Sequence, residues 1–215
     1  SAWSEHAAGI GPGIGLARDR AALRAAVRRE VLREAQEPLV PGFRPARLEW
    51  AFGMQGDPPL LLGADGDEVA VRGQVDRLDT DAAGRAVVVD YKWASHDRYS
   101  SLERRIREGS DLQLPLYALA AARLAGVDVL AAGYLTLKDG RTRWVRLGPG
   151  APGTRYDVDW TDAGAADERL AAVADLVVAR DADIRSGRID VDPADEGRCS
   201  WCAYLDLCRK EEVRR

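Results

Sequence analysis

Two carboxylates and a lysine lie close together in residues 73–92, whose sequence is GQVDRLDTDAAGRAVVVDYK. Side chains two residues apart on a strand point to the same face, so Asp90 and Lys92 would share one face. If the segment folds back on itself as a β-hairpin, Asp76 lies beside Val89 or Asp90. The pattern therefore predicts two acids and one base grouped at the end of a strand.

This group has a specific chemistry. Two carboxylates held close repel each other and raise the pKa of one of them, unless a cation lies between them. Mg²⁺ or Mn²⁺ suits that position, because these ions prefer carboxylate and carbonyl oxygens. A cation held by Asp76 and Asp90 could activate a water, while Lys92 orients that water or neutralises charge on a phosphoryl oxygen. The alternative is an ordinary surface ion pair, the commoner origin of an Asp-x-Lys sequence.

The surrounding segments predict how the group is positioned. The run Ala86 to Val89 is apolar on both faces, which is typical of a strand buried between layers. Strands are predicted at 47–54, 59–63, 68–79, 85–94, 129–140 and 141–148, and the last two form a hairpin around Asp139 and Gly140. Helices are predicted at 17–36, 110–126 and 162–186, while 98–110 is a helix or a mobile loop and 149–160 a loop. Ser110 or Asp111 would cap the helix at 110–126, which ends near Gly126. This order predicts an α/β fold with a mixed central β-sheet flanked by α-helices.

The composition excludes several classes of protein. The 215 residues are 46% hydrophobic and 31% charged, as in a soluble globular chain and unlike a disordered one. The apolar runs are shorter than the roughly 18–20 residues that cross a bilayer, and no signal-peptide pattern opens the sequence, so a cytoplasmic protein without a membrane segment is predicted. The formal net charge of −4 argues against a stand-alone, non-specific DNA-binding protein.

The residues 73–119 resemble a known family. The strand GQVDR, the strand end DYK and the helix beginning DLQLPLY resemble, in that order, the RecB-like branch of the PD-(D/E)XK nuclease superfamily. The resemblance implies a restriction-endonuclease-like core in which Asp76 and Asp90 bind the metal and Lys92 is the catalytic lysine. It also implies that the backbone carbonyl of Tyr91 completes the metal site. Gln113 and Tyr117 match the helix motif, and their i, i+4 spacing puts them on one helix face.

All three cysteines lie near the end of the sequence. Cys199, Cys202 and Cys208 form the pattern C-x₂-C-x₅-C, which resembles the cysteine triplet of bacterial AddB-type helicase–nuclease subunits and of Cas4 nucleases. In those families a further, upstream cysteine completes a [4Fe–4S] cluster, and thiolates are suitable iron ligands. No cysteine precedes Cys199, so the fourth ligand would come from outside this chain. A zinc site, which would also need a fourth ligand, is the competing interpretation, and a buried structural trio is the least favoured.

Two other residues are weaker candidates for the site. The family places a histidine upstream of the first strand, and His6 matches that context poorly. Glu49 could face the metal, although a strand carboxylate paired with Arg47 or Arg72 is the better interpretation. We therefore expect the chain to be truncated at its N-terminus relative to the family. Residues 1–192 would form the nuclease core and residues 193–215 the cysteine-bearing segment.

Aromatic and basic residues could contact DNA. Four tryptophans could stack on bases, although a core role is the more common one for such residues: Trp50, Trp93, Trp144 and Trp160. Four arginines after the DYK strand could meet phosphates, or could form a solvated helix face: Arg98, Arg104, Arg105 and Arg107.

The sequence thus predicts a Mg²⁺- or Mn²⁺-dependent deoxyribonuclease, an exonuclease of DNA recombination and repair. It would act on single-stranded DNA or duplex ends beside a helicase domain or partner subunit. The alternatives are a catalytically silent nuclease fold that binds or scaffolds, with a structural iron–sulfur or zinc clip, and a Cas4-type CRISPR adaptation nuclease.

Overall fold

A six-stranded mixed β-sheet forms the centre of the protein, in the strand order β1-β4-β5-β6-β7-β8. The computed structural model describes residues 14–64, 66–149, 151, 158–161, 165–191, 193 and 196–208. The sheet strands are β1 (Arg44–Phe52), β4 (Gly73–Thr80), β5 (Arg85–Lys92), β6 (Asp128–Thr136), β7 (Arg141–Arg146) and β8 (Val158–Asp159). A separate antiparallel pair consists of β2 (Leu60–Leu62) and β3 (Val69–Val71). Within the main sheet, β5–β6 and β7–β8 are parallel pairs and the other neighbours are antiparallel.

Helices cover both faces of this sheet. They are α1 (Ile14–Gln36), α2 (Leu102–Arg107), α3 (Gln113–Ala125), α4 (Ala165–Arg185) and α5 (Leu205–Cys208), with 3₁₀ turns at His96–Tyr99 and Glu196–Trp201. The faces alternate along β5: Val88 packs in the core with α3, whereas Val89 packs with Ala26 of α1. Both valines are fully buried. The predicted α/β fold with a mixed sheet flanked by helices is therefore confirmed, and β5 is an interior strand.

Two predictions of local structure are wrong. The expected strand 68–79 is two strands of different sheets, because the chain changes neighbours at Arg72 and Gly73. A Cβ at Gly73 would lie 2.8 Å from Cζ of Phe52, so glycine is needed for this close crossing. Neither Ser110 nor Asp111 caps α3: Ser110 Oγ donates to the carbonyl of Arg105, and Asp111 pairs with the Arg105 guanidinium.

The other boundaries agree more closely with the sequence. Gly126 ends α3 in the left-handed conformation, as predicted, and the hairpin around Asp139 and Gly140 is present as β6 and β7. Strand β8 lies inside the segment expected to be a loop, and 98–110 contains the short helix α2. Among the residues that the structure describes, no helix combines the length and apolar character that a bilayer crossing requires.

Candidate active site

The two predicted carboxylates face each other across β4 and β5. The antiparallel register pairs Arg77 with Val89, so one further step along both strands brings Asp76 opposite Asp90. The Tyr91 backbone N–H also donates to Asp76 Oδ2 at 2.8 Å, which fixes the Asp76 carboxylate against the end of β5. The hairpin therefore holds the two acids together without help from a distant part of the chain.

Asp90 is the buried member of the pair, with 2% of its surface exposed. Its Oδ1 accepts a hydrogen bond from Gln113 Nε2 at 2.8 Å. Its Oδ2 lies 2.6 Å from Lys92 Nζ, but this buried oxygen accepts no hydrogen bond of good geometry. Burial raises the pKa of Asp90 to about 6, because the attraction of Lys92 does not offset the loss of hydration and the nearby charges of Asp76 and Asp111 add repulsion.

Gln113 connects the acid to the base. Its Oε1 accepts from Lys92 Nζ at 2.6 Å, while its Nε2 donates both to Asp90 and to the Tyr117 hydroxyl, the latter at 3.0 Å. The Lys92 ammonium also lies 5.0 Å from the centre of the Tyr134 ring. Because Gln113 and Tyr117 are one turn apart at the start of α3, this helix end forms the wall beside the carboxylates.

A second network holds Tyr91 from the opposite face of the sheet. Arg77 is 4% exposed and makes a bidentate pair with Asp79, with both N–O distances 2.6 Å. Its Nη1 also donates to Glu34 of α1 at 2.6 Å and to the Tyr91 hydroxyl at 3.2 Å. Tyr91 separates Asp90 from Lys92 in the chain, so this network fixes the backbone between the acid and the base.

The oxygen atoms at this place fit a hard divalent cation. Asp76 and Asp90 supply carboxylates on one face, and the buried Asp90 Oδ2 has the Lys92 ammonium beside it, 2.6 Å away. Across the described parts of the chain, no three His, Cys, Asp or Glu side chains gather in a way that could hold a metal ion. A cation here would therefore need oxygens beyond the two carboxylates. The Tyr91 carbonyl, water or phosphate could supply them.

The structure assigns Glu49 a different partner from those expected. Its carboxylate is exposed and accepts a hydrogen bond from Gln74 Nε2 at 2.7 Å, while Arg47 lies over the Trp50 ring. Glu49 has a positive φ of 50°, a conformation that is uncommon outside glycine. The predicted pairing of Glu49 with Arg47 or Arg72 is wrong. His6 lies outside the described residues.

The three cysteines are free thiols in the last described segment. Cys202 is exposed; its backbone N–H donates to the Cys199 carbonyl, and its Sγ accepts from the Tyr204 N–H at 3.4 Å. The thiols suit iron or zinc chemically, but the set is one ligand short of four. In the part of the chain that the structure describes, the three thiols do not come together as a group that could hold a metal ion.

Several tryptophans and arginines have roles inside the protein. Trp160 is 2% exposed and cannot stack on a base, whereas Trp93 is 42% exposed. Arg105 turns inward to Asp111, with an N–O distance of 2.9 Å, and Arg104 pairs with Glu108 on the surface of α2. The interpretation as a solvated helix face thus describes Arg104, whereas Arg105 belongs to a largely buried ion pair.

Several residues that support the site were not predicted from the sequence. Arg77 and Asp79 alternate onto one face of β4, a signal that was available in the sequence VDRLD. Glu34 gave no such signal, because its role depends on how α1 docks on the sheet. Tyr134 lies in an ordinary apolar strand, yet its ring faces Lys92 and its hydroxyl donates to Asp111 Oδ1 at 2.6 Å.

Comparison with known proteins identifies the same nuclease superfamily that residues 73–119 resemble. The model of the PD-(D/E)XK nuclease superfamily matches residues 2–209. An ATP-dependent helicase/deoxyribonuclease subunit of Lacticaseibacillus casei is 38% identical over 109 residues, which are 46% of this chain and 9% of that protein. The corresponding ATP-dependent helicase/deoxyribonuclease subunit of Pelotomaculum thermopropionicum is 37% identical over 75 residues, covering 33% of this chain and 6% of that protein. The chain thus matches less than a tenth of these relatives.

Because the family model covers nearly the whole sequence, this chain belongs to the PD-(D/E)XK nuclease superfamily. The mixed sheet with its flanking helices agrees with that assignment.

Proposed function

We propose that this chain is a Mg²⁺- or Mn²⁺-dependent deoxyribonuclease domain that hydrolyses phosphodiester bonds. The observation that supports this most is the single cluster formed by Asp76, Asp90, Lys92 and Gln113 at the end of an interior strand. A surface ion pair would not require a carboxylate that is almost fully buried beside a second one. Burial of such a group costs stability, so its retention favours a functional role.

The residues divide the chemistry among them. Asp76, Asp90 and the Tyr91 carbonyl would hold a divalent cation, which supplies a Lewis acid that activates water and neutralises phosphate charge. The charge of that cation would replace the charge of Lys92 beside Asp90. Lys92 could then turn its ammonium, which is part-exposed, toward the phosphate and stabilise the negative charge that develops there. Gln113 would hold Asp90 and Lys92 in position through its hydrogen bonds to both, and Tyr117 would orient the Gln113 amide.

The relatives suggest a biological setting. They are helicase/deoxyribonuclease subunits, so we place this chain in DNA recombination and repair, in the cytoplasm, beside a helicase domain or partner subunit. We propose exonuclease action on single-stranded DNA or on duplex ends, because a helicase delivers such strands. The division into a nuclease core at 1–192 and a cysteine segment at 193–215 belongs to the same proposal.

We further propose that Cys199, Cys202 and Cys208 ligate a [4Fe–4S] cluster, with a fourth ligand from outside this chain. The C-x₂-C-x₅-C spacing of the three cysteines in the sequence supports this. Protein purified without oxygen, together with the helicase partner, should absorb near roughly 400 nm, as thiolate-bound iron clusters do. The Cys202→Ser variant should lose that absorption. Colourless protein with stoichiometric zinc would contradict the cluster and favour a zinc site.

A cleavage assay tests the proposed activity. End-labelled single-stranded and duplex DNA are incubated with the protein and Mg²⁺ or Mn²⁺, with EDTA as the blank. The wild type should cut, and Lys92→Ala should cut at least about 100-fold more slowly, the usual effect of removing a group that stabilises transition-state charge. Lys138→Ala is the matched control, since Lys138 is exposed and lies over the Trp93 ring. If wild type cuts no better than Lys92→Ala, the chain is not a nuclease by this mechanism.

A further inference from the structure

The Lys92 ammonium lies over the face of a buried aromatic ring. Its Nζ is 5.0 Å from the centre of the Tyr134 ring, and Tyr134 is only 1% exposed. The parallel register of β5 and β6 pairs Asp90 with Tyr134, so the ring lies on the same face of the sheet as Asp90 and Lys92. The proposed catalytic cluster therefore borders directly on an aromatic ring.

A buried carboxylate holds the hydroxyl end of Tyr134. The hydroxyl donates to Asp111 Oδ1 at 2.6 Å, and Asp111 is itself buried. Burial and the charge of Asp111 raise the pKa of Tyr134, so its hydroxyl stays protonated and remains a donor. A tyrosine that is packed on all sides and bonded at its hydroxyl has little freedom to change the position of its ring.

Arg105 of α2 holds this carboxylate in turn. Its Nη2 lies 2.9 Å from Asp111 Oδ2, and its carbonyl accepts from the Asp111 backbone N–H at 3.1 Å. The same guanidinium lies over the Tyr99 ring, with 5.3 Å between its Cζ and the ring centre. Tyr99 packs against Tyr134, with 4.6 Å between the two ring centres. These residues therefore form a closed set of contacts that fixes the orientation of the Tyr134 ring.

The ring acts on the Lys92 ammonium differently from the other partners of that group. Gln113 Oε1 accepts one of the three ammonium hydrogens, and the Asp90 carboxylate attracts the charge from 2.6 Å. An aromatic face attracts a cation through its quadrupole and uses none of the N–H donors. When a divalent cation replaces the charge of Lys92 beside Asp90, the ring would still attract the ammonium and would leave N–H groups for a phosphate oxygen.

From these contacts we propose that Tyr134 is a positioning residue for Lys92. Its ring, fixed by Asp111 and Arg105, would keep the ammonium in one place beside the scissile phosphate, so that little side-chain freedom is lost when the transition state forms. The competing interpretation is a core tyrosine whose hydroxyl is satisfied by Asp111 and whose closeness to Lys92 has no effect on the reaction. This proposal rests on the proposed nuclease function, because it describes how a residue of that activity is held.

Magnetic resonance of the lysine side chains tests the contact without metal or DNA. The chain has three lysines, Lys92, Lys138 and Lys210, so protein labelled with ¹³C at the lysine ε-carbon gives only three ε-methylene signals. The signal of Lys92 is the one that Lys92→Arg lacks. In EDTA we expect its protons upfield of their position in urea, because they lie over the Tyr134 ring; Tyr134→Phe should keep this shift and Tyr134→Leu should lose it. A wild-type Lys92 signal without an upfield shift would overturn the proposal, whichever variants fold.

The kinetics of DNA cleavage by the same variants test the role of the ring. We expect Tyr134→Leu to lower kcat about 5–30-fold, the effect of losing a desolvated cation–π contact, and to leave KM within about twofold. Tyr134→Phe should keep most of the wild-type kcat, because the ring face remains. Leu130→Ala, at the other end of β6 in the cluster with Val40 and Phe43, controls for lost stability and should leave kcat unchanged. Tyr134→Met replaces Tyr134→Leu if the leucine variant does not fold.

The outcomes separate this proposal from the nuclease function. A kcat for Tyr134→Leu equal to that of Leu130→Ala would overturn the positioning role, while wild-type cleavage that depends on Lys92 would leave the nuclease function intact. Equal losses of kcat in Tyr134→Leu and Tyr134→Phe would assign the effect to the hydroxyl and would also overturn the role of the ring. An upfield-shifted Lys92 signal in a wild-type protein that does not cut DNA would overturn both proposals, because Tyr134 would then position no catalytic group.

Discussion

Replacing Asp90 with asparagine should make the metal-free protein more stable at neutral pH. The carboxylate is buried beside Asp76, and burial raises its pKa from 3.8 to about 6. The folded protein therefore binds the Asp90 proton more tightly than the unfolded chain does. As the pH rises from about 4 to about 6, the ionisation of Asp90 increasingly lowers the free energy of unfolding. Above that range the full loss of stability is present.

The magnitude follows from the size of this shift. A change of about two pKa units corresponds to about 3 kcal/mol, at about 1.4 kcal/mol per unit. The asparagine side chain of the variant cannot ionise, and its amide oxygen can still accept from Gln113 Nε2. Lys92 loses its ion pair, but its ammonium still donates a hydrogen bond to Gln113 Oε1, and its side chain is 25% exposed to water. Asp90→Asn should thus raise the free energy of unfolding by up to about 3 kcal/mol at pH 7.5, with little change at pH 4.

Urea denaturation at pH 4, 5, 6 and 7.5 measures this difference. Asp81→Asn, at the turn of the same hairpin, is the control, because this substitution should lower the free energy of unfolding at pH 7.5 where Asp90→Asn raises it. Burial alone would raise the pKa of Asp81, but hydrogen bonds from Arg85 and Ala83 outweigh it and lower that pKa. Mg²⁺ should raise the melting temperature of wild type and leave Asp90→Asn unchanged, because a ligand stabilises only the state that binds it. An Asp90→Asn protein that is no more stable than wild type at pH 7.5 would refute this reasoning.

Three further substitutions test the residues around the carboxylates. Asp79→Asn removes the bidentate carboxylate partner of Arg77, but Glu34 still pairs with the guanidinium, so the free energy of unfolding should fall by about 1–3 kcal/mol in urea titrations. Tyr91→Phe removes only the hydrogen bond from Arg77; it should cost about 1 kcal/mol of stability and raise the Mn²⁺ concentration needed for half-maximal cleavage. An unchanged Mn²⁺ dependence would mean that the network behind the sheet does not position the site. Gln113→Ala should slow cleavage about 10–100-fold while DNA affinity is retained, since Gln113 orients Lys92; a loss of affinity alone would contradict that role.

The residues of the candidate site could be predicted because they depend on local rules. Strand alternation places Asp90 and Lys92 on one face, and the hairpin register brings Asp76 opposite Asp90. The valine run predicted an interior strand, because it is apolar on both faces. The strand order confirms this, since β5 lies between β4 and β6. Helical spacing likewise put Gln113 and Tyr117 on one side of α3.

What the sequence did not reveal depends on contacts between distant segments. Glu34 meets Arg77 across 43 residues, and no local pattern fixes how α1 lies on the sheet. The break between β3 and β4 follows from the packing of Phe52 against Gly73, which a continuous alternating pattern concealed. Asp111 resembled a helix cap by its position, but the Arg105 guanidinium and the Tyr134 hydroxyl bind it instead.

Binding of Mn²⁺ in the absence of DNA tests the proposed metal centre most directly. The electron paramagnetic resonance signal of free Mn²⁺ is followed as the ion is titrated into wild type, Lys92→Ala and the double variant Asp76→Asn/Asp90→Asn. We expect wild type and Lys92→Ala to bind the ion, and the double variant to lose that binding, because both proposed carboxylate ligands are gone. Equal Mn²⁺ binding by the double variant and wild type would show that these carboxylates do not form the metal site.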